Sequence, residues 1–181
     1  MIGRAVQLGL LGLLACFAGA PRNARAGSLC GGCEIQVGVG GTYHFWGSTG
    51  GVVIPLTVSW DENRYEFGVF RIARRQALLD SNNGTERVLA APYWGASASR
   101  RWRLFARGPV SAFVGFGFAY RTQTDELTAT HWNFAEQLGA RVRLPGGRSV
   151  VELTMRHWSN AGIRLPNHGQ DFATLMARFD F

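Results

Sequence analysis

The chain has 181 residues, of which 46% are hydrophobic, 12% aromatic and 17% charged, with a formal net charge of +7. Lysine is absent, so every basic side chain is an arginine, and three of these, Arg4, Arg22 and Arg25, precede residue 27. The remaining arginines recur along strand-like segments without forming the clustered stripe that nucleic acid requires, which excludes that partner and suits a polar barrel lumen or an anionic lipid headgroup.

The N-terminus reads as an export signal. Met1 to Arg4 is short and basic, Ala5 to Ala20 is an apolar run too brief to span a bilayer, and Ala24-Arg25-Ala26 supplies the small-x-small pattern of a cleavage site before Gly27. Residues 1–26 are therefore expected to be a signal peptide and 27–181 one mature domain. A competing reading takes Leu13-Leu14-Ala15-Cys16 as a lipoprotein box with Cys16 acylated. Cys30 and Cys33 form a C-x-x-C pair, for which a local disulfide is the expected state in an oxidising compartment. A redox-active pair would open a helix in a βαβ unit, and zinc would want a second pair.

No segment after residue 27 reaches the roughly 20 apolar residues of a transmembrane helix. The period is two instead. Ile35, Val37, Val39, Gly41, Tyr43 and Phe45 alternate with Glu34, Gln36, Gly38, Gly40, Thr42 and His44, an apolar face against a small or polar one. Seven further strands are expected at Val52 to Trp60, Tyr65 to Arg74, Val88 to Phe105, Val110 to Arg121, His131 to Leu144, Ser149 to Ser159 and Phe172 to Phe181. In Val110 to Arg121 the second face is Ser111, Gly115, Gly117, Ala119 and Arg121, small and polar as a narrow lumen demands, with Phe113 a lone exception.

Alternation alone does not say which face meets water, because a soluble barrel reverses the burial. The connections decide. Short turns at Asp61-Glu62-Asn63, Ala106-Arg107-Gly108 and Pro145-Gly146-Gly147 alternate with longer ones around Gln76 to Arg87, Thr122 to Thr130 and Asn160 to Gln170, the asymmetry of outer-membrane barrels. The aromatic final strand with Phe179 and Phe181 resembles an outer-membrane assembly signal, and Trp60, Trp94, Trp102, Trp132 and Trp158 fall toward strand ends, where an interfacial girdle would place them. The expected fold is all-β, an eight-stranded antiparallel outer-membrane β-barrel, multi-pass in the bacterial cell outer membrane.

Reactive side chains concentrate between the last two strands, in His157-Trp158-Ser159-Asn160-Ala161-Gly162-Ile163, Pro166-Asn167-His168-Gly169 and Asp171. His157 and Ser159 are two residues apart and share the parity of Val151, Leu153 and Met155, while Asp171 shares that of Ala173, Leu175 and Ala177. All three therefore face lipid on adjacent strands, and counting strands from a periplasmic Phe181 puts them at the external rim. Left unpaired there, each polar group would cost several kcal/mol, so mutual hydrogen bonding is favoured. The result is a nucleophile, a base and an orienting acid: Ser159 attacks an ester, His157 carries its proton, and Asp171 holds the imidazole. Asn160 and the backbone of Ala161 and Gly162 are the candidate oxyanion donors.

These residues also resemble a family. His157-x-Ser159-Asn160-Ala161-Gly162-Ile163 with Pro166-Asn167 and the acid at Asp171 is similar to the signature of PagL-type lipid A 3-O-deacylases. The resemblance implies an eight-stranded outer-membrane esterase that removes the 3-linked hydroxyacyl chain of lipid A, with His157 as base, Ser159 as nucleophile and Asn160 as oxyanion donor. It implies lipopolysaccharide in the outer leaflet as partner and no cofactor or metal.

The departure is at Asp171, where the family pattern has Glu; the shorter side chain reaches His157 only if the last strand sits differently. Glu136, which shares the outward parity of Trp132, Phe134 and Leu138, and His168 are candidate substitutes for the acid, with the bystander reading preferred for both. Arg164 is a candidate contact for a lipid A phosphate. The competing readings are an outer-membrane phospholipase, for which the barrel is small, and a noncatalytic barrel serving adhesion or membrane integrity. A homodimer is also admitted by the sequence.

Overall fold

The computed structural model describes residues 33–44, 47–79, 84–146 and 149–179, the last with its backbone only. The expected signal peptide, Cys16, Cys30 and Phe181 lie outside the described residues. Cys33 is disulfide-bonded, with its partner also outside them.

Ten strands are described: β1 (Glu34–His44), β2 (Gly47–Trp60), β3 (Tyr65–Ile72), β4 (Gln76–Leu79), β5 (Glu86–Ala90), β6 (Tyr93–Arg107), β7 (Val110–Arg121), β8 (Trp132–Arg143), β9 (Ser149–Ser159) and β10 (Gln170–Phe179). Eight of them close an antiparallel barrel in the order β1-β10-β9-β8-β7-β6-β3-β2, and β4 and β5 form a separate hairpin. Closure leaves the barrel sheet without a free edge, which a strand-built membrane protein requires because hydrocarbon offers no hydrogen bonds.

The expected fourth strand, Val88 to Phe105, is two elements. Val88 belongs to β5, and β6 begins only at Tyr93, after Ala91 and Pro92. Pro92 has no N–H to give a ladder and interrupts the run. The expected loop from Gln76 to Arg87 accordingly holds β4 and the start of β5.

Burial follows the two-residue period in the membrane sense. On β9, Glu152, Thr154, Arg156 and Trp158 are buried, while Leu153 and Met155 are 53% and 46% exposed; on β10, Thr174 and Met176 are buried and Leu175 is 54% exposed. A soluble barrel would hide the leucines and expose the glutamate. Here the apolar face is the outer wall and the polar face fills the lumen, as in a lipid-embedded barrel.

The lumen has two layers. Toward the rim of short turns, Arg101 donates to Glu66, to Glu152 at 3.0 Å and to Asn63 at 2.8 Å, and Arg156 reaches both carboxylate oxygens of Glu66 at 3.0 Å. Toward the rim of long loops the filling is apolar: Val53, Phe70, Ile72, Tyr93, Trp158 and Phe172. The small and polar lumen face read along Val110 to Arg121 does not extend to this layer. Trp158 is corrected too: it is not in an outer girdle but fully buried, edge-on to Phe70 at 5.2 Å and Phe172 at 5.0 Å. Its parity with Glu152, Thr154 and Arg156 turns it inward. Such aromatic pairs add about 0.5–1.5 kcal/mol each beyond the area they bury.

Candidate active site

The register of β9 against β10 places Asp171 directly opposite His157. Both face outward, because each sits one residue from an inward-facing neighbour, Trp158 on β9 and Phe172 on β10. Their side chains meet, His157 Nδ1 lying 2.6 Å from Asp171 Oδ1. The aspartate therefore spans the gap between directly paired residues without any shift in register, and the shorter acid fits. With the Nδ1 proton donated to the carboxylate, Nε2 is the nitrogen left to accept a proton.

Asp171 is held from behind. The preceding residue, Gln170, points inward, where its Oε1 accepts from Tyr93 Oη at 2.8 Å and its Nε2 donates to Gln76 Oε1 at 2.8 Å. The start of β10 is thus tied to β6 and to the base of the β4–β5 hairpin, and the apolar lumen layer packs beneath it.

Gly169 controls the space around the imidazole. It is buried with φ of +79°, and a Cβ there would stand 2.3 Å from His157 Cε1. Its N–H donates to Leu127 O at 2.9 Å, and Ala129 N–H to Pro166 O at 2.9 Å, so the loop from Thr122 to His131 fixes the loop that carries it. The sequence places this residue in the reactive cluster without giving it a role, although a glycine between a loop histidine and the start of a strand is a signal for close backbone approach.

Ser159 ends β9, on the same outward face, opposite Phe134 of β8. Among the described residues its hydroxyl makes no hydrogen bond, to His157 or to another group. The structure brings His157 and Asp171 together and leaves Ser159 one outward position away, about 7 Å along the strand. Catalytic hydrogen bonds are often open without substrate and tighten when it binds.

Asn160 is buried and organises the turn after Ser159. Its N–H donates to Asn167 Oδ1 at 2.9 Å, its Nδ2 donates to Arg164 O at 2.7 Å, and its Oδ1 accepts the Gly162 N–H at 3.0 Å. Ile163 N–H closes the turn onto Asn160 O at 3.0 Å, with Ala161 at φ 52° and Gly162 at 79°. Two central residues of positive φ define a type I′ turn, a strained setting for an alanine. The Gly162 N–H, an expected oxyanion donor, is bonded to Asn160 Oδ1 in this turn. Asn160 retains one Nδ2 proton.

Arg164 is exposed in this turn, between Ile163 and Leu165, which are 76% and 79% exposed. Its side chain makes no ion pair among the described residues. His168 is exposed, its ring 6.3 Å from that of His44. Beside Ser159 the outer wall is aromatic: Phe134 stacks on Phe116 at 5.8 Å and packs on Phe118 at 5.7 Å.

The outward-facing His157–Asp171 pair, with Ser159 beside it, stands on the apolar outer wall of a closed barrel, the architecture of an outer-membrane barrel. The lipid A 3-O-deacylase (PagL) family model matches residues 35–180, and the chain belongs to that family. In fold it is similar to the crystal structure of the outer membrane enzyme PagL, at TM-score 0.60 and 20% identity over 82% of this chain and 99% of that one. It is also similar to Neisserial surface protein A (NspA), at TM-score 0.53 and 12% identity over 82% of this chain and 96% of that one. No curated protein matches it in sequence.

Proposed function

We propose that the protein is a lipid A 3-O-deacylase of the outer membrane, a serine esterase that hydrolyses the ester-linked 3-hydroxyacyl chain. The observation that carries this reading is the His157–Asp171 pair at 2.6 Å on the lipid-facing wall, in a member of this family. A paired imidazole and carboxylate on a hydrocarbon-facing surface is costly unless the polar chemistry belongs there. In this reading the rim of long loops faces outside, so the site lies in the outer leaflet beside lipopolysaccharide.

Ser159 Oγ attacks the ester carbonyl carbon while His157 Nε2 takes its proton. Asp171 keeps the imidazole in the productive tautomer and stabilises the cation as it forms. The free Nδ2 proton of Asn160 is the donor for the oxyanion. On collapse, the bond from carbonyl carbon to the sugar oxygen breaks, and the imidazolium proton passes to that oxygen. Water then releases the acyl group from Ser159 by the same proton path. Arg164, exposed in the loop that follows the nucleophile, contacts a phosphate of the glucosamine headgroup; unchanged activity of R164A on phosphorylated and dephosphorylated substrate would remove that contact.

The test is mass spectrometry of lipid A from cells expressing the intact protein or S159A. Loss of one ester-linked hydroxyacyl chain only where Ser159 is present establishes reaction and nucleophile. Unchanged lipid A with the barrel folded in the outer membrane refutes the deacylase and leaves a noncatalytic barrel.

A further inference from the structure

Glu136 sits on the outer wall without a hydrogen bond or ion pair among the described residues, its charge acting on His157 across the strand pair. It lies on β8 directly opposite His157, on the flank away from Asp171, and its outward neighbours on the strand are Phe134 and Leu138, the latter 52% exposed. It is exposed, and among the described residues its carboxyl makes no hydrogen bond or ion pair. Asp171 already holds His157 Nδ1, so the imidazole needs no second acid. A carboxylate that faces lipid with no hydrogen-bond donor costs several kcal/mol, which favours a donor supplied from outside the chain.

The register says where that partner comes from. Phe134 is opposite Ser159, and Glu136 is the next outward residue of β8, farther from the rim of long loops. A lipid whose ester carbonyl meets Ser159 Oγ therefore sends its acyl chain down the wall past Glu136, alongside Phe116, Phe118 and Phe134. A hydroxyl on the third carbon of that chain is two carbon–carbon bonds beyond the carbonyl, on the way to this carboxyl.

Resting on the deacylase reading, we propose that Glu136 is the specificity-determining acceptor for the acyl-chain hydroxyl, so that the site selects 3-hydroxyacyl esters over plain acyl esters. The carboxylate accepts the O–H and takes no part in bond breaking.

The experiment compares kcat/KM for two lipid A substrates in detergent micelles, one carrying a 3-hydroxyacyl ester at the 3-position and one a synthetic plain acyl ester there. Enzymes are the wild type, E136L and E136Q, each confirmed folded by heat-modifiable electrophoretic migration. The wild type is expected to favour the hydroxylated ester by about tenfold to a hundredfold, the range for a hydrogen bond to a charged group. E136L is expected to bring the ratio near one, and E136Q, which keeps an acceptor oxygen, to retain part of it. A wild type with no preference overturns the proposal. So does an E136L that lowers both rates equally while shifting the pH profile, which would make Glu136 a positioning residue for His157. A wild type that hydrolyses neither ester refutes the deacylase reading itself.

Discussion

The His157 imidazole occupies the volume that a side chain at position 169 would fill, since a Cβ on Gly169 would come within 2.3 Å of its Cε1. Backbone and imidazole are in direct contact, so the smallest possible side chain is already too large. G169A is expected to displace the ring from Asp171 and to cut deacylation by about 10²-fold or more, the scale of a misplaced catalytic group. It also meets an unfavourable positive φ. Steady-state rates beside circular dichroism of the folded barrel check this; normal activity would mean that the loop yields and His157 is not confined.

The acid is testable apart from the ring. D171N preserves the shape of the side chain but offers an amide where the imidazole N–H needs an acceptor. The expected loss in kcat is about 10⁴-fold, by analogy with the effect of removing the acid from serine-protease triads. Activity within a few fold of wild type would show that another group orients His157.

The charged lumen layer governs stability. Glu66 accepts from both Arg101 and Arg156 and is buried, so E66A leaves two guanidinium groups without their shared counter-ion. Breaking such a network costs about 3–5 kcal/mol. Urea unfolding from lipid vesicles measures it, and an unchanged midpoint would mean that Glu152 and water compensate in full.

The outer wall can be probed by depth. Leu153 faces outward near the middle of β9. An arginine at the bilayer midplane of a barrel costs about 2–4 kcal/mol, falling toward the interfaces. L153R is expected to lose that much in vesicle unfolding, and a neutral result would argue that this face is not against hydrocarbon.

Much of this was legible because a strand has an exact side-chain period. The parity of Leu153 and Met155 carried over to His157 and Ser159, and that of Leu175 to Asp171, so the outward placement of all three followed from counting. The same count should have turned Trp158 inward with Arg156; position near a strand end suggested a girdle, and the aromatic lumen layer was missed. Pro92 was the visible sign that Val88 and Tyr93 belong to different strands. Hydrogen bonds within a loop have no such period. That Asn160 holds the Gly162 N–H, and that Gly169 makes room for His157, depends on turn geometry and on the pairing of Gly169 with Leu127, neither of which the order of residues reveals.

Because the reactive side chains stand on the convex wall, with the lumen filled behind them, the site has no mouth through which a dissolved substrate would enter. Under the proposed deacylase function, encounter is lateral, in the plane of one leaflet. The quantity that sets the rate is then the mole fraction of substrate among the lipids or detergents that touch β8, β9 and β10. Adding inert detergent at constant total substrate would slow the reaction by dilution within the surface, with no change in the protein.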